Sequence, residues 1–255
     1  MNESDTTYVF DIPYHANENM DVGQIVFRSS ALDKIHHCNY FFVPNDAKDF
    51  SFNNMIYAGG YSPGNMQYPF AYGTGFRLPK NGHIRGELHV PPLSKAIDFS
   101  IYFSLYKSIK PISETLYLIP LANLKPDNTT TFFIPADTLI TFTGHTKLME
   151  DATLCNVNPH MHLLGKSVTA FAITPANDTV PLINIPKWNF NWQDFYEFEQ
   201  PIFLPKNSTI VLQMTYDNTT QNPSNPNRPP VLITEGWYTS QEMFTLLLIA
   251  KKKNL

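Results

Sequence analysis

Two short stretches of this sequence carry residues that could hold a metal ion. In Asn158-Pro159-His160-Met161-His162-Leu163-Leu164-Gly165, a strand would project His160 and His162 from one face, because strand side chains alternate with a period of two. Two imidazoles on one face can share an ion. In Ile35-His36-His37 the histidines are adjacent and would face opposite ways in a regular strand, so they can meet at one ion only at a strand end, twist or bulge. His89, within Gly86-Glu87-Leu88-His89-Val90, is a candidate third imidazole for that pair. His15, His83 and His145 have no partner in either pattern and read as exposed or structural.

The elements that must position these residues read as short strands. The chain has 255 residues, is 43% hydrophobic and 14% aromatic, and contains 21 Pro, mostly between short apolar runs. Gln24–Arg28, Phe99–Leu105, Thr138–Phe142, Ser167–Ile173 and Ser208–Gln213 are β-branched, aromatic or alternating, and turn residues such as Asn81-Gly82 and Pro223-Ser224-Asn225-Pro226-Asn227 bound them. No segment has a long amphipathic helical period. The expected class is all-β, two tandem antiparallel sandwich domains, 1–126 and 127–255, joined near Leu124-Lys125-Pro126-Asp127-Asn128.

An internal repeat supports the division. Phe76-Arg77-Leu78-Pro79-Lys80-Asn81 is echoed by Phe203-Leu204-Pro205-Lys206-Asn207, an offset of 126 residues (204 minus 78) from Leu78 to Leu204. The same offset puts His36 on His162 and His89 on Thr215, so the second half lacks the third imidazole. Met243, in Glu242-Met243-Phe244, falls on Leu116 at an offset of 127 and can donate a thioether instead. Three imidazoles suit zinc or copper, whereas two imidazoles with a soft thioether favour Cu(I), so copper is the consistent choice for both sets. A blue-copper site would need a thiolate with two imidazoles and a long axial Met, and Cys155, His160 and Met161 are poorly spaced for it.

His36-His37, a lone His89, His160-x-His162 and a late Glu242-Met243 together resemble the copper type II, ascorbate-dependent monooxygenases. That family includes peptidylglycine α-hydroxylating monooxygenase and dopamine β-monooxygenase. Trp188-Asn189-Phe190-Asn191-Trp192-Gln193, with Tyr216-Asp217-Asn218, is closer to bacterial members than to animal ones. The resemblance spans nearly the whole chain. It implies two jelly-roll sandwiches facing each other across a cleft, with one copper on each. It also implies that His36, His37 and His89 hold an electron-transfer copper, while His160, His162 and Met243 hold the catalytic copper that activates O2 and hydroxylates a C–H bond of a small organic substrate. An external reductant supplies the electrons, ascorbate in the family, though the donor need not be ascorbate here. The peptide-hydroxylating members grip a substrate carboxylate with an Arg two residues before the His-x-His, and with Asn and Tyr two and four residues after the Met. Asn158, Thr245 and Leu247 stand at those positions, so C-terminal glycine peptides are not expected substrates.

Other classes fit less well. A net charge of −4 offers no basic field for nucleic acid, and no apolar run reaches the ~18 residues of a transmembrane span. Lys251-Lys252-Lys253 reads as a solvated tail. Met1–Asp5 has no signal-peptide character, so an extracytoplasmic (periplasmic or secreted) protein would carry its export signal upstream. Cys38 and Cys155 allow one bridge or two free thiols. Asn128-Thr129-Thr130, Asn177-Asp178-Thr179, Asn207-Ser208-Thr209 and Asn218-Thr219-Thr220 match the glycosylation pattern. Trp188, Trp192 and Tyr196 could line a cleft or fill a core. A copper-binding or copper-storage protein on the same fold is the alternative to an oxygenase.

Overall fold

The structure, a computed structural model, describes residues 6–45, 47, 55–64, 67, 70–71, 73–119, 121, 124–127 and 131–253. The sequon at Asn128 lies outside them. The chain is all-β and divides into two compact units, Met1–Leu118 with Ile249–Leu255, and Ile119–Leu248.

Unit 1 contains β1 (Thr6–His15), β2 (Met20–Ser29), β3 (His37–Pro44), β4 (Ile56–Tyr61), β5 (Thr74–Leu78), β6 (Asn81–Val90), β7 (Ile101–Lys107) and β8 (Glu114–Ile119, whose last residue falls in unit 2). One sheet has the order β1-β6-β3-β4, and the other runs β8-β5-β2-β7. The chain passes between sheets instead of folding as successive hairpins within one, as in a jelly roll. The period-two pattern explains the layering, since alternate residues of β6 (Gly82, Ile84, Gly86, Leu88) are buried and those between are half-buried. Aromatic rings join the layers, with Phe27 against Tyr61 at 5.4 Å, Tyr40 against Phe103 at 5.3 Å and Phe42 against Phe76 at 6.4 Å between centroids. Such offset and edge contacts contribute about 0.5–1.5 kcal/mol each beyond area burial.

Unit 2 contains β9 (Phe133–Ile134), β10 (Thr138–Lys147), β11 (Ala152–His160), β12 (Gly165–Ile173), β13 (Thr179–Ile185), β14 (Tyr196–Leu204), β15 (Thr209–Asn218), β16 (Ile233–Thr234) and the start of β17 (Thr245–Lys253). One sheet is β10-β15-β12-β13, and β14, β11 and β17 are neighbours in the other. Ile210, Leu212, Met214 and Tyr216 point inward from β15 and are fully buried. Side chains of that size contribute about 1.5–3 kcal/mol each when removed from water. Tyr216 packs at 5.5 Å from Phe132 and donates its hydroxyl to the Met243 carbonyl at 2.7 Å. That bond satisfies the one polar atom of an otherwise apolar side chain in the core.

The two units repeat the same strand order. Carrying β1, β6, β3 and β4 forward along the repeat gives β10, β15, β12 and β13, which form the corresponding sheet in the same sequence of neighbours. The division differs from the expected 126/127 boundary. The chain leaves unit 1 after Leu118, and the last residues return to it through the end of β17. There Lys251 pairs with Glu114 at 2.7 Å, so the lysine run belongs to a strand and is not a free solvated tail. Cys38 and Cys155 are both free and buried.

Candidate metal centres

The first set forms where β3 begins. A 3-10 turn at Leu32–Lys34 delivers the chain to Ile35, and His36 sits in a bend just before the strand while His37 opens it. The parity conflict between adjacent histidines therefore never arises. His36 is tied to the strand end by its amide, which donates to the His89 carbonyl at 3.0 Å. His37 and His89 are directly paired across β3 and β6, which puts their side chains on one face. The outcome is convergence of three Nδ1 atoms. His36 Nδ1 stands 3.2 Å from His89 Nδ1 and 3.0 Å from His37 Nδ1, and one nitrogen from each ring falls within 4.8 Å of the others. The rings meet edge to face with centroids 4.9–5.2 Å apart. His36 and His89 are buried and His37 is half-buried, leaving one side of the set nearer to solvent. Two nitrogens each about 2.0 Å from one ion at a tetrahedral angle stand about 3.3 Å apart, so this spacing fits shared ligation.

The second set forms where β11 ends. His160 is the last residue of the strand and His162 lies beyond it, so the pair does not share the face of a regular strand as the spacing had suggested. What shapes the turn is Glu242. Its carboxyl group is fully buried, accepting the His162 amide at 2.8 Å and the Met243 amide at 3.3 Å on one oxygen and the Leu164 amide at 2.7 Å on the other. Burial pushes Glu242 up to about 8, against the pull of these three amides.

The two imidazoles of this set have fixed tautomers. His160 Nδ1 faces Gln193 Oε1 at 2.6 Å, and the amide of Gln193 is oriented by donation from its Nε2 to the Phe190 carbonyl at 2.8 Å. His162 Nδ1 faces the Gln241 carbonyl at 2.9 Å. Both partners are acceptors, so each Nδ1 carries a proton, and in the neutral form of either ring the lone pair lies at Nε2. Those two Nε2 atoms are 3.2 Å apart. Two neutral rings so placed bring their lone pairs together, and a shared metal ion or a single proton between them would relieve the repulsion. Glu242 brings the Met243 backbone beside the His162–Leu164 turn, and Met243 itself is half-buried. Thr215, at the position of His89 in the repeat, is paired across to Thr141, and their hydroxyls hydrogen-bond at 2.8 Å.

The structure thus gathers His36, His37 and His89 in unit 1, and His160, His162 and the backbone of Met243 in unit 2. Gln193, Gln241 and the carboxyl group of Glu242 are neighbours of the second set to which the motif pattern assigns no role. The remaining histidines stand elsewhere. His15 and His83 line a pocket of about 450 Å³ at the opposite end of β6 from His89, and His145 pairs with Asp127 at 2.6 Å. Cys38, next to His37, is fully buried, and burial pushes its thiol far above the usual range, as expected of an inert core residue. Trp188 is largely buried and Trp192 is half exposed, while the Phe190 ring stands edge-on to His162 at 6.4 Å. Among the described residues, no helix is long and apolar enough to cross a membrane.

No protein-family model matches the chain, and no curated protein matches it. Among solved structures, the chain is similar to the infectious bursal disease virus VP2 subviral particle, with 13% identity, 94% of this chain covered and a TM-score of 0.24. It is also similar to the structure of infectious bursal disease virus Gx strain, with 11% identity, 98% covered and a TM-score of 0.21. The chain spans 62% and 63% of those two chains. Superpositions this loose carry no argument about function.

Proposed function

We propose that this chain is a copper-dependent monooxygenase with two separate mononuclear sites, hydroxylating a C–H bond of a small organic substrate with O2 and an external reductant. The observation that carries the reading is the pair of unlike donor sets, one within each unit. Three Nδ1 atoms converge in the first, and in the second two Nε2 atoms stand 3.2 Å apart at a turn whose Glu242 carboxyl group also accepts the Met243 amide. A three-imidazole set suits copper or zinc, and in the family that the chain resembles it holds the electron-transfer copper; a set of two imidazoles and a thioether favours Cu(I) with coordination positions left open. Copper at the second set would supply activation of O2.

The protein's own contribution is orientation. Gln193 Oε1 and the Gln241 carbonyl hold the Nδ1 protons of His160 and His162, so Nε2 is the atom each ring presents as a ligand. Glu242 holds the turn that carries His162. The substrate is not gripped by a carboxylate clamp, since Asn158 spends its amide donors on the carbonyls of Gln193 and Asp194.

Copper stoichiometry and O2 uptake test the reading together. The wild type should bind two Cu(I) per chain, and His36→Ala and His160→Ala one each. Reductant-driven O2 uptake should depend on substrate and vanish in both variants. Two coppers without O2 consumption across a broad substrate panel would identify a copper-binding or storage protein instead. Unchanged copper content in both variants would remove the metal assignment altogether.

A further inference from the structure

We propose that Asn158 is a positioning residue for the second metal centre, acting on His160 through Gln193. The inference rests on the reading of His160 and His162 as metal ligands. It concerns how this chain holds one of them, at a position where the resembling family places an arginine for a different purpose.

The backbone pairing of β11 with β14 stops at Val157 opposite Tyr196. Asn158 is the next residue, 7% exposed, and its side chain continues the connection where the ladder ends. Its Nδ2 donates to the Asp194 carbonyl at 2.8 Å and to the Gln193 carbonyl at 3.4 Å. Both donors are thereby spent on the segment between Phe190 and Phe195. Gln193 is the buried residue of that segment, 4% exposed between the exposed Trp192 and the half-buried Asp194. Its own amide is committed at both ends, Nε2 to the Phe190 carbonyl at 2.8 Å and Oε1 to His160 Nδ1 at 2.6 Å.

A continuous path of hydrogen bonds therefore runs from Asn158 through the backbone of Gln193 and Asp194 to the Gln193 side chain and on to the His160 ring. Asn158 and His160 are near neighbours in the chain, but their side chains are linked by a detour through a loop 33 residues away in sequence. Such outer partners orient a ligating imidazole and fix which nitrogen carries the proton, and losing one weakens metal binding by about 10–100-fold. Removing the Asn158 donors leaves two carbonyls without them and frees the loop that presents Gln193 Oε1.

Three variants test this with Cu(I) alone as the probe: Asn158→Leu, Gln193→Leu and the double variant. Asn158→Leu should weaken Cu(I) binding at the second centre about tenfold and leave the first centre unchanged. Because Asn158 acts through Gln193, adding Asn158→Leu to Gln193→Leu should weaken binding by less than about twofold more. A structural residue with no link to His160 would give equal losses in both backgrounds, and that result would overturn the proposal. Asn158→Asp, which keeps the shape but replaces Nδ2 with an acceptor, should behave as Asn158→Leu does; it decides the matter if the leucine variant does not fold. An independent arm uses metal-free protein and long-range 1H–15N spectra of the histidine rings. The wild type should show His160 protonated at Nδ1, and both Asn158 variants a mixture of tautomers. An unchanged tautomer would also overturn the proposal. A wild type that binds no copper at the second centre would count against the proposed function, while the tautomer measurement would still decide the role of Asn158.

Discussion

Replacing Glu242 with Gln alters one atom type at the point where the His162 turn is held. The carboxyl group serves three amides, and in either protonation state both of its oxygens can accept. A glutamine has the same shape but only one accepting oxygen. If its NH2 takes the place facing Leu164, one hydrogen bond of 2.7 Å is replaced by two donors in opposition. If it faces the other way, the bonds from His162 and Met243 are lost instead. The first orientation costs less. It forfeits one hydrogen bond, about 1 kcal/mol, and leaves a buried N–H unserved at about 1–3 kcal/mol, so the expected loss is about 3 kcal/mol. Native-state hydrogen exchange measures this at the amides concerned. Protection at Leu164 should fall about a hundredfold, the equivalent of roughly 3 kcal/mol, with His162 following as the turn loosens. Second-centre Cu(I) affinity should fall with it and first-centre affinity should not. Exchange at both amides within threefold of wild type, with both copper affinities unchanged, would refute the claim that this carboxyl group shapes the centre.

Two further outcomes concern stability. A Cβ added at Gly165 would lie 2.6 Å from Trp188 Cδ1 and 3.0 Å from Met161 Cβ, so Gly165→Ala should destabilise unit 2 by about 1–3 kcal/mol in urea unfolding; a loss under 0.5 kcal/mol would mean the Trp188 ring yields freely. Arg77 beside Asp21 holds its carboxyl below the usual range, with the Ile112 amide adding to the effect. A lowered folded pKa means the contribution is present above the unfolded value near 4 and is lost as pH falls through the folded value. Asp21→Asn should therefore cost about 1 kcal/mol at pH 7, a modest figure because Arg77 is half exposed. The gap between variant and wild type should narrow as pH falls through the folded value of Asp21, and a gap that stays constant on acidification would contradict the ion pair as its source.

Strand positions were legible because period-two burial acts locally. β2, β10, β12 and β15 fall where alternation and β-branching placed them and run a few residues further, while β7 is displaced by two residues toward the C-terminus. The repeat was legible too, and it emerges as one strand order used twice. The clustering of His36, His37 and His89 required a strand end, a twist or a bulge, and the structure supplies a strand end. The geometry of His160 and His162 did not follow from their spacing, because a strand rule was applied across a strand's end. The groups that replace the ladder there come from far along the chain: Glu242 is 80 residues from His162, and Gln193 is 33 from His160. A backbone carbonyl such as that of Gln241 leaves no mark on side-chain pattern at all. Glu242 did leave one, a carboxylate between Met243-Phe244 and a polar turn, but only its partners explain why a charge-bearing group sits in the core. The unit boundary was misplaced for a related reason. Periodicity says that Thr245–Lys253 is a strand, not which sheet receives its end.

The division of β17 has a consequence for the order in which the protein can be completed during synthesis. Domains generally fold as units while the chain emerges from its N-terminus. The unit that carries His160 and His162 has all its residues once Leu248 is out. The unit that carries His36, His37 and His89, begun first, must wait for Ile249–Lys253 before β8 gains its second neighbour and Glu114 its lysine. Chains halted after Leu248 would thus hold a whole second unit and an unfinished first one, with β8 left as an open edge. In vectorial terms, of these two units the one made earlier is the later to close.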